Sequence, residues 1–238
     1  MALWMLGYPD AALTDAAQAL KDARKIGHAA VLMFALGHTP QTYVQCGNYA
    51  AASVQANELI SLADEKDALF WKAVGILTQG ALFVLTGKAA DAVETITSGI
   101  TAYRCTGATM GMPSTLSILA RAYAELGQID DAWRCIGEAI TSMETTKATI
   151  WEAQVYRTAG EISLMSPEPD ATKAQAYFER ALSVARQQQA KSWELRASMS
   201  LARLWRDQGK VQQARELLGS VYGWRIQPIS ATPSNLTR

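Results

Sequence analysis

Apolar side chains recur along this chain at helical spacing, in blocks separated by short polar turns. Between Ser114 and Leu126 they fall at Leu116, Leu119, Ala120, Tyr123 and Leu126, a stripe along one face of a helix. Gly127 ends the block, where a left-handed residue is often required and glycine meets no Cβ penalty. Asp130 and Asp131 then open a second block, where acidic side chains suit the positive end of a helix dipole. Ala132, Ile136, Ala139 and Ile140 form its stripe. The two-block unit repeats, because Gly7, Gly47, Gly87 and Gly127 stand 40 residues apart. Five residues after each comes an alanine (Ala12, Ala52, Ala92, Ala132), and seven further on come Ala19, Leu59, Gly99 and Ala139. The phase survives a two-residue slip as Pro169, Ala174, Ala181 and then Gly209, Ala214, Val221. A fixed period of about 20–50 residues marks a solenoid. The pattern predicts an all-α fold, an α-solenoid of antiparallel helix pairs in five to six units. The repeat domain spans residues 1–224. Residues 225–238 hold two prolines and no periodicity, and read as a disordered tail.

The small residues have a mechanical reason, since two helices joined by a short turn approach closely only where few bulky side chains meet. A second small position lies seven residues before the turn, at Gly80, Ala120, Gly160 and Ala202. An aromatic follows three residues later at Tyr43, Phe83, Tyr123 and Trp205, placed to fill the wedge between helices. Together these marks resemble the tetratricopeptide repeat along most of the chain. The period departs from it, at 40 residues where the common repeat has about 34. The extra residues lengthen either the helices or the links. Trp71, Trp151 and Trp193 each begin a first helix. Pro167 and Pro169 mark a longer turn, and Pro40 predicts a kink, because an interior proline costs a helix roughly 3 kcal/mol. The first unit keeps only Met1 to Leu6 of its leading helix, which predicts exposed apolar surface and weak self-association through an open N-terminal unit.

Bulk composition narrows the function. The 238 residues are 49% hydrophobic with a formal net charge of zero, so no electrostatic footprint for nucleic acid is present. From Glu179 to Glu216 there are eight Lys/Arg against four Asp/Glu, too diffuse a surplus for a phosphate-binding stripe. An RNA-reading repeat would present paired polar side chains at fixed positions, and Ala81, Arg121, Glu161 and Arg203 do not repeat a polar type. Cys46, Cys105 and Cys135 form no C-x-x-C, and free thiols fit a reducing cytoplasm. The apolar run Ala68–Gly87 carries Thr78-Gln79-Gly80 at its centre and reads as a buried solenoid helix rather than a membrane span, which needs about 20 apolar residues.

A narrower resemblance rests on two stretches. Residues 100–133, ITAYRCTGATMGMPSTLSILARAYAELGQIDDAW, and residues 171–224, ATKAQAYFERALSVARQQQAKSWELRASMSLARLWRDQGKVQQARELLGSVYGW, are similar to the C-terminal region of large bacterial signalling proteins. In that family a class III adenylate/guanylate cyclase domain precedes an ATPase of the signal-transduction type, and a tetratricopeptide-like region follows. The resemblance covers about residues 70–224. It departs after VYGW, where relatives continue with an acidic helix-forming segment and this chain runs RIQPISATPSNLTR. It implies a helical sensor or scaffold arm, with no enzymatic activity of its own, that regulates a cyclase/ATPase module. The alternative is the C-terminal part of an active cyclase whose catalytic domain lies upstream. The G-x-x-x-x-G-K-[ST] string of a phosphate-binding loop does not occur, and nothing reads as the sheet that holds a cyclase's metal-binding aspartates.

Candidate chemistry is sparse. His28 and His38 lie ten residues apart without a second ligand at helical spacing, where a zinc site wants three or four ligands. Cys46 and Cys135 sit at repeat positions beside turns, where cysteine serves as a small apolar filler. No G-x-S-x-G elbow is present. The pattern calls for no catalytic residue, metal or cofactor. In tetratricopeptide arrays the first helices line a concave groove, and projecting that arrangement places Arg121, Arg157, Glu161 and Arg203 toward it, with Gln154, Arg196 and Arg206 nearby. Such arginines grip a carboxylate or phosphate bidentately. The lysine and asparagine set with which related arrays hold peptide C-termini is missing. The expected partner is a protein, a peptide or a small effector, and neither nucleic acid nor membrane.

Overall fold

The computed structural model describes residues 1–222, so the expected tail at 225–238 lies outside the described residues. Twelve α-helices and one 3-10 turn make up this stretch, with no strand among the described residues. They form six antiparallel pairs: α1 (Ala2–Met5) with α2 (Pro9–Ile26), α3 (Ala29–Gln45) with α4 (Tyr49–Glu65), α5 (Leu69–Leu85) with α6 (Ala89–Cys105), α7 (Met112–Glu125) with α8 (Ile129–Thr146), α9 (Glu152–Met165) with α10 (Ala171–Gln187), and α11 (Lys191–Asp207) with α12 (Val211–Tyr222). The fold is a tetratricopeptide-like α-solenoid. Helices α3 to α6 are 17 residues each, and the turns between them hold only three. Links this short leave the whole of the longer period to the helices.

All of the turns but the one in the fifth pair contain a residue in the left-handed region. Gly47, Gly87, Gly127 and Gly209 take φ between 75° and 80° at the turn within a pair. The turn between pairs uses the same conformation, at Gly27, Asp67, Gly107, Lys147 and Gln189. Left-handed residues therefore recur every 20 positions up to Lys147, twice as often as the glycine register suggests. In the fifth pair the Pro167–Pro169 segment replaces the glycine turn. Asp170 N–H donates to the Ser163 carbonyl at 3.0 Å, and the Asp170 carboxylate caps α10 by accepting from Lys173 N–H at 2.8 Å. Helix α3 runs through Pro40 without a break, so the expected kink does not interrupt it. The Thr39 hydroxyl lies 2.9 Å from the Ala35 carbonyl and 2.6 Å from Gln55 Oε1 on α4, which ties the segment beside the proline to both helices.

Small residues mark the closest crossings. A Cβ on Gly80 would stand 2.5 Å from Ile96, and one on Gly160 would stand 2.4 Å from the Phe178 ring. Ala52, Ala92, Ala132 and Ala174 are fully buried at the corresponding positions on the second helices. Ala19 departs from this pattern. It is exposed, while Ala16, Leu20 and Ala23 face inward. The four-residue α1 is too short to reach the height of Ala19, so no partner helix covers it.

Successive first helices touch one another (α3 with α5, α5 with α7, α7 with α9, α9 with α11), while the second helices splay outward. This puts the first helices on the concave side. The curvature is tight enough to bring α11 back onto α1. The first unit is consequently not open: Trp4 is only 4% exposed and packs edge-on against Trp193, with ring centroids 4.8 Å apart. No described helix is long and apolar enough to cross a membrane.

Candidate functional site

Four of the seven residues expected in the groove come together, on α9 and α11. Gln154, Arg157 and Glu161 lie along one stripe of α9. Arg157 Nε donates to Gln154 Oε1 at 3.2 Å, and its Nη1 bonds to the Glu161 carboxylate and reaches Ser200 Oγ on α11 at 3.4 Å. Arg196, one turn before Ser200, donates from Nη1 to Gln45 Oε1 at 2.6 Å and from Nη2 to the Gln45 carbonyl at 2.9 Å. Its guanidinium also stacks over two indoles, 4.8 Å from the Trp4 ring centre and 5.3 Å from that of Trp193. Burial pushes the Arg196 pKa down to about 10, and the positive charge of Arg157 adds to the shift. Opposing contributions come from Tyr49, Cys46 and Glu161. At neutral pH Arg196 stays charged.

The other three residues do not join this cluster. Arg121 forms its own pair with Glu125 at 2.8 Å along α7. Arg206 pairs with its neighbour Asp207, also at 2.8 Å, and both are exposed. Arg203 is exposed on α11. The structure adds Gln45, Ser200, Trp4 and Trp193 to the site. Gln45 lies 151 residues from Arg196, and no periodicity links the two. Only the buried, indole-rich starts of the first helices hinted at Trp193.

The N-terminal half of the inner layer is chemically different. Phe34 and His38 stack at 4.3 Å on α3, and Trp71 of α5 meets both edge-on at 6.0 and 5.8 Å. Phe34 is 60% exposed. Neither cysteine singled out above has an activated thiol. Burial raises Cys135 to about 11 and also raises Cys46, so both stay protonated at neutral pH. Glu194 is a buried charge of another kind. Burial alone would raise its carboxyl pKa, but Lys191 at 2.8 Å and Arg186 at 3.0 Å bond to it, and the net shift is downward.

Comparison with known proteins agrees with this architecture. The family model for the tetratricopeptide repeat matches residues 113–135 and 195–220, within α7–α8 and α11–α12. BtubC (BKLC) from P. vanneervenii superposes with a TM-score of 0.64 at 15% identity, over 97% of this chain and 98% of that one. Aspartyl phosphate phosphatase F from Bacillus subtilis superposes with a TM-score of 0.62 at 15% identity, over 92% of this chain and 57% of that one. At such identities the likeness is one of fold. No curated protein matches the chain by sequence. The fold and the matched repeats together define a tetratricopeptide-like helical repeat protein.

Proposed function

We propose that this chain is an interaction scaffold that binds a protein or peptide through its concave face and so regulates a cyclase/ATPase signalling module. The observation that carries the reading is the cluster of Arg157, Arg196, Gln154 and Glu161 on the inner helices, which carries one more positive than negative charge in a partly buried setting. Charge-assisted bonds to a partner are strongest where water is scarce. The repeat architecture supports binding, since stacked helix pairs present an extended concave surface. The cyclase/ATPase assignment rests on the resemblance of residues 100–133 and 171–224 described above. In that reading the catalytic chemistry belongs to the partner module, and the chain itself needs no nucleotide.

Two measurements test this. The first is calorimetry of the chain with magnesium and ATP, where no binding heat is expected and tight magnesium-dependent binding would sink the scaffold reading. The second adds the chain to a cyclase–ATPase fragment of the resembling family and follows cyclic nucleotide formation. A changed rate that reverts with Arg157→Ala supports regulation, and an unchanged rate with no detectable complex removes the cyclase/ATPase part.

A further inference from the structure

The contact between α1 and α11 is built differently from the joints between neighbouring pairs. It joins residues 188 positions apart, with Ser192 Oγ hydrogen-bonded to the Trp4 carbonyl. Trp4 lies edge-on to Trp193, Trp193 lies edge-on to Trp151 at 6.0 Å, and the Arg196 guanidinium covers Trp4. Met1, Leu3 and Met5 pack at the margin. What docks here is one helical turn, Ala2–Met5. It joins α2 through the three residues Leu6–Tyr8, with Gly7 at φ 94°. The tie between Arg196 and Gln45 does not involve α1, so the receiving wall is held in place independently of its occupant. One group of that wall stays unsatisfied with α1 in place: the buried Trp193 indole N–H has no hydrogen-bond partner. Helix α1 fills the site without saturating it.

We propose that the surface formed by Trp151, Trp193, Ser192 and Arg196 is a recognition site for a short tryptophan-bearing turn. The chain's own α1 fills it in the free protein, and a protein partner engages it by presenting a turn of the same kind. The geometry defines that turn. One tryptophan edge meets Trp193 under the guanidinium, aliphatic side chains flank it, and a backbone carbonyl faces Ser192. Basic residues are disfavoured, because Arg196 and Arg157 already place two positive charges beside the site. A partner that also offers an acceptor to the Trp193 N–H gains over α1. The inference rests on the reading of the chain as a protein-binding scaffold but not on any link to a cyclase or ATPase.

The probe is the synthetic peptide acetyl-Ala-Leu-Trp-Met-Leu-Gly-amide, which copies residues 2–7. In the full chain, Trp4→Ala empties the indole site. By calorimetry that variant binds the peptide at 1:1. The unaltered chain binds it at least about tenfold more weakly, because tethered α1 competes at an effective concentration on the order of millimolar. Replacing the peptide's tryptophan by alanine abolishes binding, and adding Arg196→Ala to the Trp4→Ala chain weakens it. A folded Trp4→Ala chain that takes no peptide overturns the proposal, as does equal binding by both chains. Should Trp4→Ala lose its helical circular dichroism, hydrogen exchange on the unaltered chain decides. Saturating peptide then speeds exchange at Met5 and Leu6 if α1 is displaced, and unchanged exchange overturns the idea. A concentration-dependent dimer of the unaltered chain that Trp4→Ala abolishes would assign the site to a second copy and overturn its occupancy by the chain's own α1.

Discussion

The two ends of the inner layer share a backbone and differ in what they show to solvent. Helix α3 carries no Asp, Glu, Lys or Arg, and α5 carries only Lys72. Helix α9 carries Glu152, Arg157 and Glu161, and α11 carries six charged residues. At the N-terminal end the groups that stand out are aromatic, Phe34, His38 and Trp71, and Phe34 is largely exposed. At the C-terminal end the polar groups are knitted to one another and, through Gln45 and Trp4, to the start of the array. The repeat pattern fixes where helices cross, and it leaves the inner-face chemistry to residues between the crossings. One half of the face is therefore an apolar surface added to a stable frame. In the other half, the polar residues also hold the frame closed.

Glycine crossings give the largest expected contrast between these halves. Gly160→Ala places a Cβ 2.4 Å from Phe178, which is fully buried and has nowhere to move. The expected cost is about 2–3 kcal/mol in urea unfolding. Gly37→Ala meets Trp71 at the same 2.4 Å, but that ring is only half-buried and can swing outward, so about 1 kcal/mol or less is expected. Equal costs would remove the distinction between a rigid and a yielding half.

Side-chain truncation sharpens it next. Arg196→Ala removes two hydrogen bonds to Gln45 and the cover over Trp4, and is expected to cost about 1–2 kcal/mol. Phe34→Ala, at an exposed position, is expected to stay within about 0.5 kcal/mol of the parent. Thermal melts of both variants check the pair.

Much of the fold was legible because its geometry demands particular residues. Glycine at 7, 47, 87, 127 and 209 reports a left-handed turn, and alanine at 52, 92 and 132 reports a close crossing. The turns between pairs were not legible as a register, since only Gly27 and Gly107 are glycine there while Asp67, Lys147 and Gln189 adopt the same left-handed conformation without being glycine. Ala19 misled because its place in the register is real but the four-residue α1 does not cover it. Of the site, the α9 stripe was readable, because Gln154, Arg157 and Glu161 share a face at helical spacing. The closure was not, because superhelical curvature accumulates over all six pairs and appears in no local window. It alone brings Gln45 and Trp4 to Arg196.

The illegible turns give a smaller prediction. Left-handed backbone costs a side-chain-bearing residue roughly 1–2 kcal/mol, partly offset by the extra entropy that glycine loses on folding. Lys147→Gly and Asp67→Gly should each raise unfolding stability by about 0.5–1 kcal/mol, in the C-terminal and N-terminal halves alike. A loss of stability at either position would contradict the assigned turn.

The smallest effect is one of pH and belongs to the charged half. The Glu194 carboxyl is held below its ordinary value of 4.5. Its ion pairs therefore stabilise the fold at neutral pH, and that contribution is lost as pH falls below 4.5 through the folded value. Comparing stability at pH 7 and in acid, Glu194→Gln should show a shallower loss than the parent. Identical slopes would mean that Lys191 and Arg186 do not hold the carboxylate.

The central claim is that the array curls until its first turn rests on its sixth pair. Proton cross-relaxation between the indole rings of Trp4 and Trp193, in the chain labelled at tryptophan, tests it most directly. Ring centres 4.8 Å apart predict clear cross-peaks between the two side chains. If the spectra show Trp193 in contact with Trp151 but not with Trp4, the array is open and the account of its inner face fails.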